Sequence, residues 1–329
     1  MKVFITGGAG FIGSHLATQL LNANNQVIIL DDLSTGSMDN IEHLIGRPGF
    51  TYQIGSVTNP ALVSELVDRC DCTVHLAAAV GVRLIVESPV RTITTNVHGT
   101  EVVLDAAARK QKLVILASTS EVYGKSPRAT FSEDDDLVLG STTHSRWAYA
   151  CSKALDEWLG LAYMRERNVP VIIVRFFNTV GPRQTGRYGM VVPTFASQAV
   201  RGEPITVFGP GTQSRCFGHV SDAVESVMRL IRTPSAAGRA YNVGNDEEVT
   251  ILQLATLVRD AAGSSSPIVS VPYDEAYAVG FEDMARRVPN LERLERTIGF
   301  RPSIPLNQII QDVVADQRAN IAGVESSRV

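Results

Sequence analysis

A glycine-rich turn close to the N-terminus constrains the fold of this chain more than any other feature. Residues 7–13 read GGAGFIG and stand between an apolar, β-branched run at 3–5 and a segment, 11–21, with apolar residues at helical spacing. Gly7 suits a tight turn, Gly10 lets the backbone approach a pyrophosphate, and Gly13 lets helix and strand pack closely. The first N–H groups of the helix would face the phosphates. A strand–turn–helix unit that binds a dinucleotide is therefore predicted.

An acidic pair follows the second predicted strand. Residues 27–30 are wholly apolar, and Asp31 and Asp32 come next. They lie about 20 residues past the loop, where a carboxylate binds a ribose 2′-hydroxyl. A carboxylate there repels a 2′-phosphate, which favours NAD over NADP. A glycine turn also occurs in α/β scaffolds that hold no ligand, and this is the alternative.

Short apolar runs alternate with helical patterns through the first half of the chain. Further strands are predicted at 73–76, 113–117 and 171–175, and helices at 60–69, 96–110 and 148–167. Such alternation indicates an α/β fold with a doubly wound parallel sheet of the Rossmann type. Glycine and proline become more frequent after Asn178, which predicts a second, smaller α/β domain for the substrate. We expect the first domain at 1–178, with a returning segment near 216–245 and a strand at 240–243, and the second at 179–329.

Composition and charge exclude several classes of protein. The formal net charge is -4, from 30 basic and 34 acidic residues, and no basic block suggests nucleic-acid binding. The longest apolar stretch, near 74–82, is interrupted by His75 and falls short of the roughly 20 residues that a membrane span needs. Four cysteines fit neither a disulfide framework nor zinc spacing. A cytoplasmic protein with no metal, no membrane association and no nucleic-acid partner is expected.

Two side chains four residues apart indicate acid–base chemistry. Tyr149 and Lys153 share one face of the helix predicted at 148–167. A nearby ammonium favours the phenolate of a tyrosine, which can then take a proton from a substrate hydroxyl. The strand at 113–117 leads into Ser118, Thr119, Ser120 and Glu121 at the sheet edge where ligands of open α/β folds bind. A hydroxyl at this edge can bond the substrate oxygen.

Four motifs together resemble the extended short-chain dehydrogenase/reductases that modify nucleotide sugars. They are TGGAGFIGSHL at 6–16, STSEVYG at 118–124, YACSK at 149–153 and RFFNTVGPRQ at 175–184. The resemblance runs from residue 1 to about residue 315. It implies tightly held NAD, a nucleoside-diphosphate-sugar substrate and a 4-keto-sugar intermediate. It also implies a homodimer formed through two helices per subunit, here those predicted at 96–110 and 148–167.

The resemblance also assigns site residues. Thr119, Tyr149 and Lys153 match the family's hydride-transfer triad, with Glu121 added as a catalytic candidate. Cofactor contacts are expected from Gly7, Gly10, Phe11, Ile12, Gly13, Asp31, Asp32, Thr35, Gly36, Ser56, Val57, Leu76, Ala77, Ala78, Asn96, Tyr149, Lys153 and Phe176. Substrate contacts are expected from Arg83, Thr119, Asn178, Val191, Thr206, Phe208, Arg215 and Arg287. The chain departs from the family at Ser56-Val57, where an Asp-Val or Asp-Ile pair is usual near the adenine.

Thr-Ser-Glu at 119–121 is similar to the UDP-glucuronate decarboxylases, whereas 4,6-dehydratases resemble one another in Thr-Asp-Glu. The arginine and tryptophan before Tyr149 and the stretches 280–283 and 286–289 resemble the same decarboxylases, and Arg287 then matches an arginine at the substrate carboxylate. The resemblance implies a lyase that converts UDP-glucuronate to UDP-xylose, or one that releases UDP-4-keto-xylose. The alternatives are a 4-epimerase acting on UDP-glucose or UDP-glucuronate, and a non-catalytic NAD-sensing protein.

Several residues also have a structural interpretation. Glu121 could order the loop after its strand, and Arg287 could form a surface pair with Glu282 or Asp283. Arg83 could clamp a carboxylate or pyrophosphate, or lie in a solvated loop. His75 is interpreted as a core histidine with satisfied hydrogen bonds, and the acidic run at 133–136 as a solvated loop.

Overall fold

The computed structural model describes residues 1–80, 88–144, 146–186, 190–272, 284 and 286–326. The strands are β1 Lys2–Thr6, β2 Gln26–Asp31, β3 Phe50–Ile54, β4 Cys72–His75, β5 Leu113–Thr119, β6 Val171–Phe176, β7 Thr179–Val180, β8 Ile205–Phe208, β9 Ser214–Cys216, β10 Gly218–His219, β11 Arg239–Val243, β12 Glu248–Thr250 and β13 Ile268–Val271. The helices are α1 Phe11–Asn22, α2 Pro60–Asp68, α3 Pro89–Ala108, α4 Arg146–Arg167, α5 Val191–Arg201, α6 Val220–Ile231, α7 Ile251–Ala261, α8 Glu292–Ile298 and α9 Leu306–Ser326.

Seven parallel strands form the main sheet in the order β11-β6-β5-β4-β1-β2-β3. From β1 the chain adds β2 and then β3 on one side. It then crosses back to place β4 on the other side of β1. This reversal of strand order opens a crevice at the carboxyl ends of β1 and β4, where ligands of such sheets bind. The predicted doubly wound α/β fold is confirmed.

Apolar side chains cover both faces of this sheet. One buried cluster joins β1, β2 and β6 to α1 and α6, and a second joins the opposite face to α2 and α3. A third cluster lies between residues 180 and 314 and packs α5, α7 and α9 together. Short two-stranded sheets, β8–β13 and β9–β12, accompany this third cluster. The second half of the chain therefore adds a smaller α/β layer beside the crevice.

The glycine turn has the geometry that its sequence predicts. Gly7 has a φ of 70°, in the left-handed region that favours glycine, and Gly10 caps the N-terminus of α1. A Cβ at Gly13 would collide with the carbonyl oxygen of Gly7. The first turn of α1 can approach the loop this closely because residue 13 has no side chain.

Predicted and observed elements differ mainly at their ends. The helix predicted at 96–110 begins at Pro89, because proline at the first helical position starts a helix even before a β-branched stretch. The predicted return strand at 240–243 is β11, which pairs with β6. His75 is buried, and its two ring nitrogens lie 2.7 and 3.1 Å from the hydroxyls of Thr6 and Thr100. The interpretation of His75 as a satisfied core histidine is confirmed.

The acidic run at 133–136 is only partly exposed. Glu133 is buried, accepts a hydrogen bond from the backbone N–H of Asn242 at 3.0 Å, and lies 3.7 Å from Arg293. The interpretation as a solvated loop is therefore wrong for Glu133. Within the described ranges, no cluster of three or more histidine, cysteine, aspartate or glutamate side chains is arranged for a metal ion. In the same ranges, no helix combines the length and apolar character needed to cross a membrane.

Candidate active site

A cleft of about 980 Å³ opens at the carboxyl ends of the central strands. Its walls come from the glycine turn, from the strand ends and from the second half of the chain. The predicted residues that line it are Gly7, Gly10, Phe11, Ile12, Gly13, Asp31, Asp32, Thr35, Gly36, Val57, Leu76, Ala77, Ala78, Thr119, Glu121, Tyr149, Lys153, Phe176, Asn178, Val191, Thr206, Phe208, Arg215 and Arg287. The fold thus brings residues from the whole length of the sequence to one cavity.

Two predicted cofactor residues lie outside the cleft lining formed by the described residues. The hydroxyl of Ser56 lies 2.8 Å from that of Thr58 and is used within its own turn. Asn96 is buried, and its Oδ1 accepts a 2.8 Å hydrogen bond from the backbone N–H of Ala79, which does line the cleft. Asn96 therefore orders the wall of the cavity. Arg83 lies outside the described residues.

The adjacent aspartates Asp31 and Asp32, at the end of β2, lie in different environments. Asp31 is buried, and its two oxygens accept hydrogen bonds from the N–H groups of Ala9 at 2.9 Å and Leu33 at 2.8 Å. Burial raises the pKa of Asp31, and these hydrogen bonds oppose that shift. Asp32 is exposed and also lines the cleft. Asp31 therefore orders the glycine turn, while the carboxylate of Asp32 stays exposed at the cleft.

Three polar side chains line the cleft at the end of β5 and the beginning of α4. The hydroxyl oxygen of Thr119 accepts a 3.2 Å hydrogen bond from the backbone N–H of Glu121, and Tyr149 is buried on the first turn of α4. Lys153 follows on the same helix face, and its Nζ lies 2.7 Å from Oδ2 of Asp156. Burial raises the pKa of Asp156, and the positive charge of Lys153 partly opposes that shift. The site therefore holds a hydroxyl, a phenol and an ammonium with a buried counter-charge.

A buried ion pair between β6 and α4 lies next to these three side chains in the sequence of elements and joins the helix to the sheet. The guanidinium of Arg175 on β6 binds both carboxylate oxygens of Glu157, with distances of 2.6 and 2.9 Å. Ser118 donates a further hydrogen bond to the same carboxylate. A bidentate pair of this kind is geometrically specific. It fixes α4 against β5 and β6, and so fixes Tyr149 relative to Thr119.

Another ion pair, also largely buried, lies in the cleft wall itself. Nη2 of Arg287 is 2.7 Å from Oε1 of Glu121, and the side chains are 8% and 12% exposed. Nη1 of Arg287 also donates to Oδ1 of Asn178 at 3.4 Å. The interpretation of Arg287 as a surface residue is therefore wrong. Glu282 and Asp283 lie outside the described residues.

A model described as the NAD dependent epimerase/dehydratase family matches residues 3–244. The chain belongs to this family. The match confirms the predictions of an enzyme and of NAD as its cofactor. The exposed carboxylate of Asp32 and the glycine turn at residues 7–13 fit that cofactor.

Individual members of the family are similar over nearly the whole chain. The UDP-N-acetyl-alpha-D-glucosaminuronate decarboxylase of Bacillus cytotoxicus is 40% identical, over 95% of this chain and 96% of the relative. UDP-glucuronic acid decarboxylase 6 of Arabidopsis thaliana is 36% identical, over 94% of this chain and 86% of the relative. The structure of UDP-glucuronic acid 4-epimerase from Bacillus cereus, with UDP-glucuronic acid and NAD, has a TM-score of 0.88 at 26% identity and covers 97% of this chain and 100% of that chain. These relatives confirm the predicted resemblance to nucleotide-sugar decarboxylases.

Some residues of this family site were missed by the sequence analysis. Asp156 lies on a helix whose charged residues read as a solvent-facing pattern, and nothing local shows that it is buried against Lys153. Arg183 lines the cleft and belongs to the motif at 175–184, but the resemblance gives no role to this arginine. The glycine and proline before it were a usable signal, since they mark a turn at the end of a strand.

Proposed function

We propose that this protein decarboxylates UDP-glucuronate, through a 4-keto intermediate, to UDP-xylose. The observation that carries the proposal is the buried pair of Arg287 and Glu121 in the cleft wall, next to Thr119. An arginine in that place can receive a substrate carboxylate in a bidentate contact. The decarboxylases among the relatives support the same reaction.

Oxidation at carbon 4 of the sugar is the first step. When bound, NAD accepts the hydride of carbon 4 and later returns it. Tyr149 takes the proton of the carbon 4 hydroxyl, and the charge of Lys153 on the same helix face favours its phenolate. Thr119 bonds the same substrate oxygen through its hydroxyl. These residues also hold that oxygen in place when it becomes a ketone.

Loss of the carboxylate is the second step. The carbon 4 ketone makes the substrate a β-keto acid, so the bond between carbons 5 and 6 breaks and its electrons enter an enolate. Tyr149 and Thr119 stabilise the enolate oxygen, as an oxyanion hole does. Carbon 6 leaves as CO2, and carbon 5 receives a proton. Glu121 acts near carbon 5 through water or a sugar hydroxyl, and Arg287 positions the departing carboxylate.

Two further candidates each rest on one comparison. The 40% identity to a UDP-N-acetyl-glucosaminuronate decarboxylase favours the same reaction on a substrate with an acetamido group at carbon 2. The similarity to a UDP-glucuronic acid 4-epimerase favours rotation of the keto sugar before hydride return. Release of UDP-4-keto-xylose would be a shortened form of the main reaction.

The residues predicted from the sequence are proposed as the sites of this reaction. We assign NAD to a first domain at 1–178 with the segment near 216–245, and the nucleotide sugar to a second domain at 179–329. Asn178, Val191, Thr206, Phe208 and Arg215 are assigned to the nucleotide, and all five line the cleft. Arg83 keeps its proposed place at a carboxylate or pyrophosphate. We place the protein in the cytoplasm.

We also propose a homodimer built through α3 and α4. These two helices pack against each other and expose Val90, Ile93, Leu155 and Trp158, the last with 62% of its surface accessible. A group of exposed apolar side chains marks an interaction surface. A second copy of the chain would cover it with the same two helices.

The proposal can be tested with UDP-glucuronate labelled at carbon 6. We expect labelled CO2 from the protein supplied with NAD, and none from UDP-glucose, which has no carboxylate. Labelled UDP-N-acetyl-glucosaminuronate, run in competition, identifies the preferred carbon 2 substituent. If the label remains in the sugar and UDP-galacturonate forms, the protein is a 4-epimerase and the proposed decarboxylation is wrong.

A further inference from the structure

Arg183 adopts a strained backbone conformation in the wall of the cleft. It lies in the turn between β7 and α5 and has a φ of 67°, in the left-handed region that side chains other than glycine rarely adopt. Such a conformation persists where surrounding contacts hold it, and it is often found at functional sites. The backbone N–H of Arg183 donates to Oδ1 of Asp316 on α9, at 3.2 Å.

The side chain of Arg183 bonds to two residues in the first 40 residues of the chain, near the glycine turn. Nη2 lies 2.8 Å from Nδ1 of His15 on α1, and Nη1 donates to the backbone oxygen of Asn40 at 3.1 Å. Arginine can only donate, so Nδ1 of His15 accepts, and its Nε2 carries the hydrogen and donates to the backbone oxygen of Pro182 at 2.9 Å. Burial lowers the pKa of His15 to about 4, so the ring is neutral near pH 7 and can accept.

His15 and Asn40, the two partners of Arg183, belong to segments that line the cleft. His15 lies one turn after Phe11, which lines the cleft, and the two rings meet edge to face. The side chain of Asn40 donates to the backbone oxygen of Ala9 in the glycine turn, at 2.9 Å. Arg183 therefore ties the turn between β7 and α5 to α1 and to the loop after β2. All three segments contribute residues to the same cleft.

We infer that Arg183 is a positioning residue that fastens the second half of the chain over bound NAD and slows the release of the cofactor. In this inference, NAD lies between the glycine turn and the loop after β2 and leaves as these segments separate from the turn that carries Arg183. The bonds from Arg183 to His15 and Asn40 oppose that separation. NAD release is measured without turnover, so its outcome is independent of which reaction the enzyme performs.

The test compares R183Q with R301Q in the purified full chain. Both variants lose one positive charge, but Arg301 is exposed and pairs with Glu295 and Asp246, outside the described lining of the cleft. Bound NAD is chased with an excess of labelled NAD, and its dissociation rate is followed. R183Q should release NAD about ten-fold faster than the unaltered protein, the effect of losing a hydrogen bond to a charged group. R301Q should stay within about two-fold, as expected for an exposed pair.

The partner side of the same bond supplies a second variant. H15F, which removes the acceptor of Arg183 and keeps an aromatic ring beside Phe11, should also accelerate NAD release. In the double variant with R183Q the two effects should be clearly less than additive, because both changes remove one interaction. Unchanged release in R183Q, or fully additive effects, would overturn the inference. A lower melting temperature with unchanged release would show a structural role alone. Should R183Q not fold, unchanged release in H15F overturns the inference equally.

Discussion

The guanidinium of Arg287 and the carboxylate of Glu121 lie 2.7 Å apart in the wall of the active-site cleft, and both side chains are largely buried. Their elements are the segment before α8 and the turn after β5. In the proposed reaction, the substrate carboxylate that Arg287 positions would lie beside Glu121, the residue proposed to act near carbon 5.

Replacing Glu121 with alanine should separate the two chemical steps. Oxidation at carbon 4 depends on Tyr149 and Thr119, so the absorbance of the reduced cofactor should still rise in a single turnover. Release of CO2 should fall far more, because carbon 5 loses its polar partner. E292A, at an exposed glutamate on α8, is the control. A parallel loss of both steps would show that Glu121 has no separate role at carbon 5.

Replacing Tyr149 with phenylalanine should abolish oxidation at carbon 4. The rate should fall by about 10²- to 10⁴-fold, the usual contribution of a positioned acid–base group. The NAD content and melting temperature should change little, since the aromatic ring remains. Y52F, at an exposed tyrosine on β3, should be as active as the unaltered protein. Undiminished oxidation in Y149F would remove Tyr149 from the mechanism.

The buried partner of Lys153 should matter strongly for stability. D156A leaves an uncompensated charge in the interior and should lower the free energy of unfolding by about 3–5 kcal/mol. E65A breaks an exposed pair with Arg69 and should cost less than about 1 kcal/mol. Urea unfolding of both variants checks the difference. Equal losses would mean that the pair with Lys153 is not desolvated.

His75 should make the protein less stable in acid. Burial lowers its pKa to about 3, whereas an unfolded histidine titrates near its ordinary value of 6.5. The unfolded chain therefore binds more protons as the pH falls through 6.5, and the folded state loses stability until the pH reaches about 3. Between pH 7 and pH 5 this loss is about 2 kcal/mol.

Urea unfolding at these two pH values should show that loss in the unaltered protein and a smaller one in H75Q. H98Q, at an exposed histidine beside Glu101, should behave as the unaltered protein does. The same pH dependence in H75Q and in the unaltered protein would exclude His75 as its source.

The proposed dimer depends on the exposed apolar side chains of α3 and α4. W158E places a charge in the middle of that surface and should give a monomer in sedimentation velocity. V269E adds the same charge at an exposed valine on β13 and should remain dimeric. A dimeric W158E variant would place the interface elsewhere.

Local patterns predicted the fold, and the family resemblance predicted most of the cleft lining. The glycine turn, the apolar strands and the acidic pair after β2 each have a periodicity or spacing that is visible in a short window. Neighbours that are distant in the chain have no such signal. The pairing of Arg287 with Glu121, the burial of Glu133 and the contact of Arg183 with His15 depend on tertiary packing. Asp156 was missed for the same reason, because its burial depends on the packing of α4 against other elements.

Proton NMR of the protein incubated with UDP-glucuronate and NAD tests the proposed reaction most directly. Decarboxylation predicts loss of the carboxylate-bearing carbon and the appearance of a second hydrogen on carbon 5 of the sugar. UDP-galacturonate with its carboxylate intact would contradict the proposal and identify a 4-epimerase.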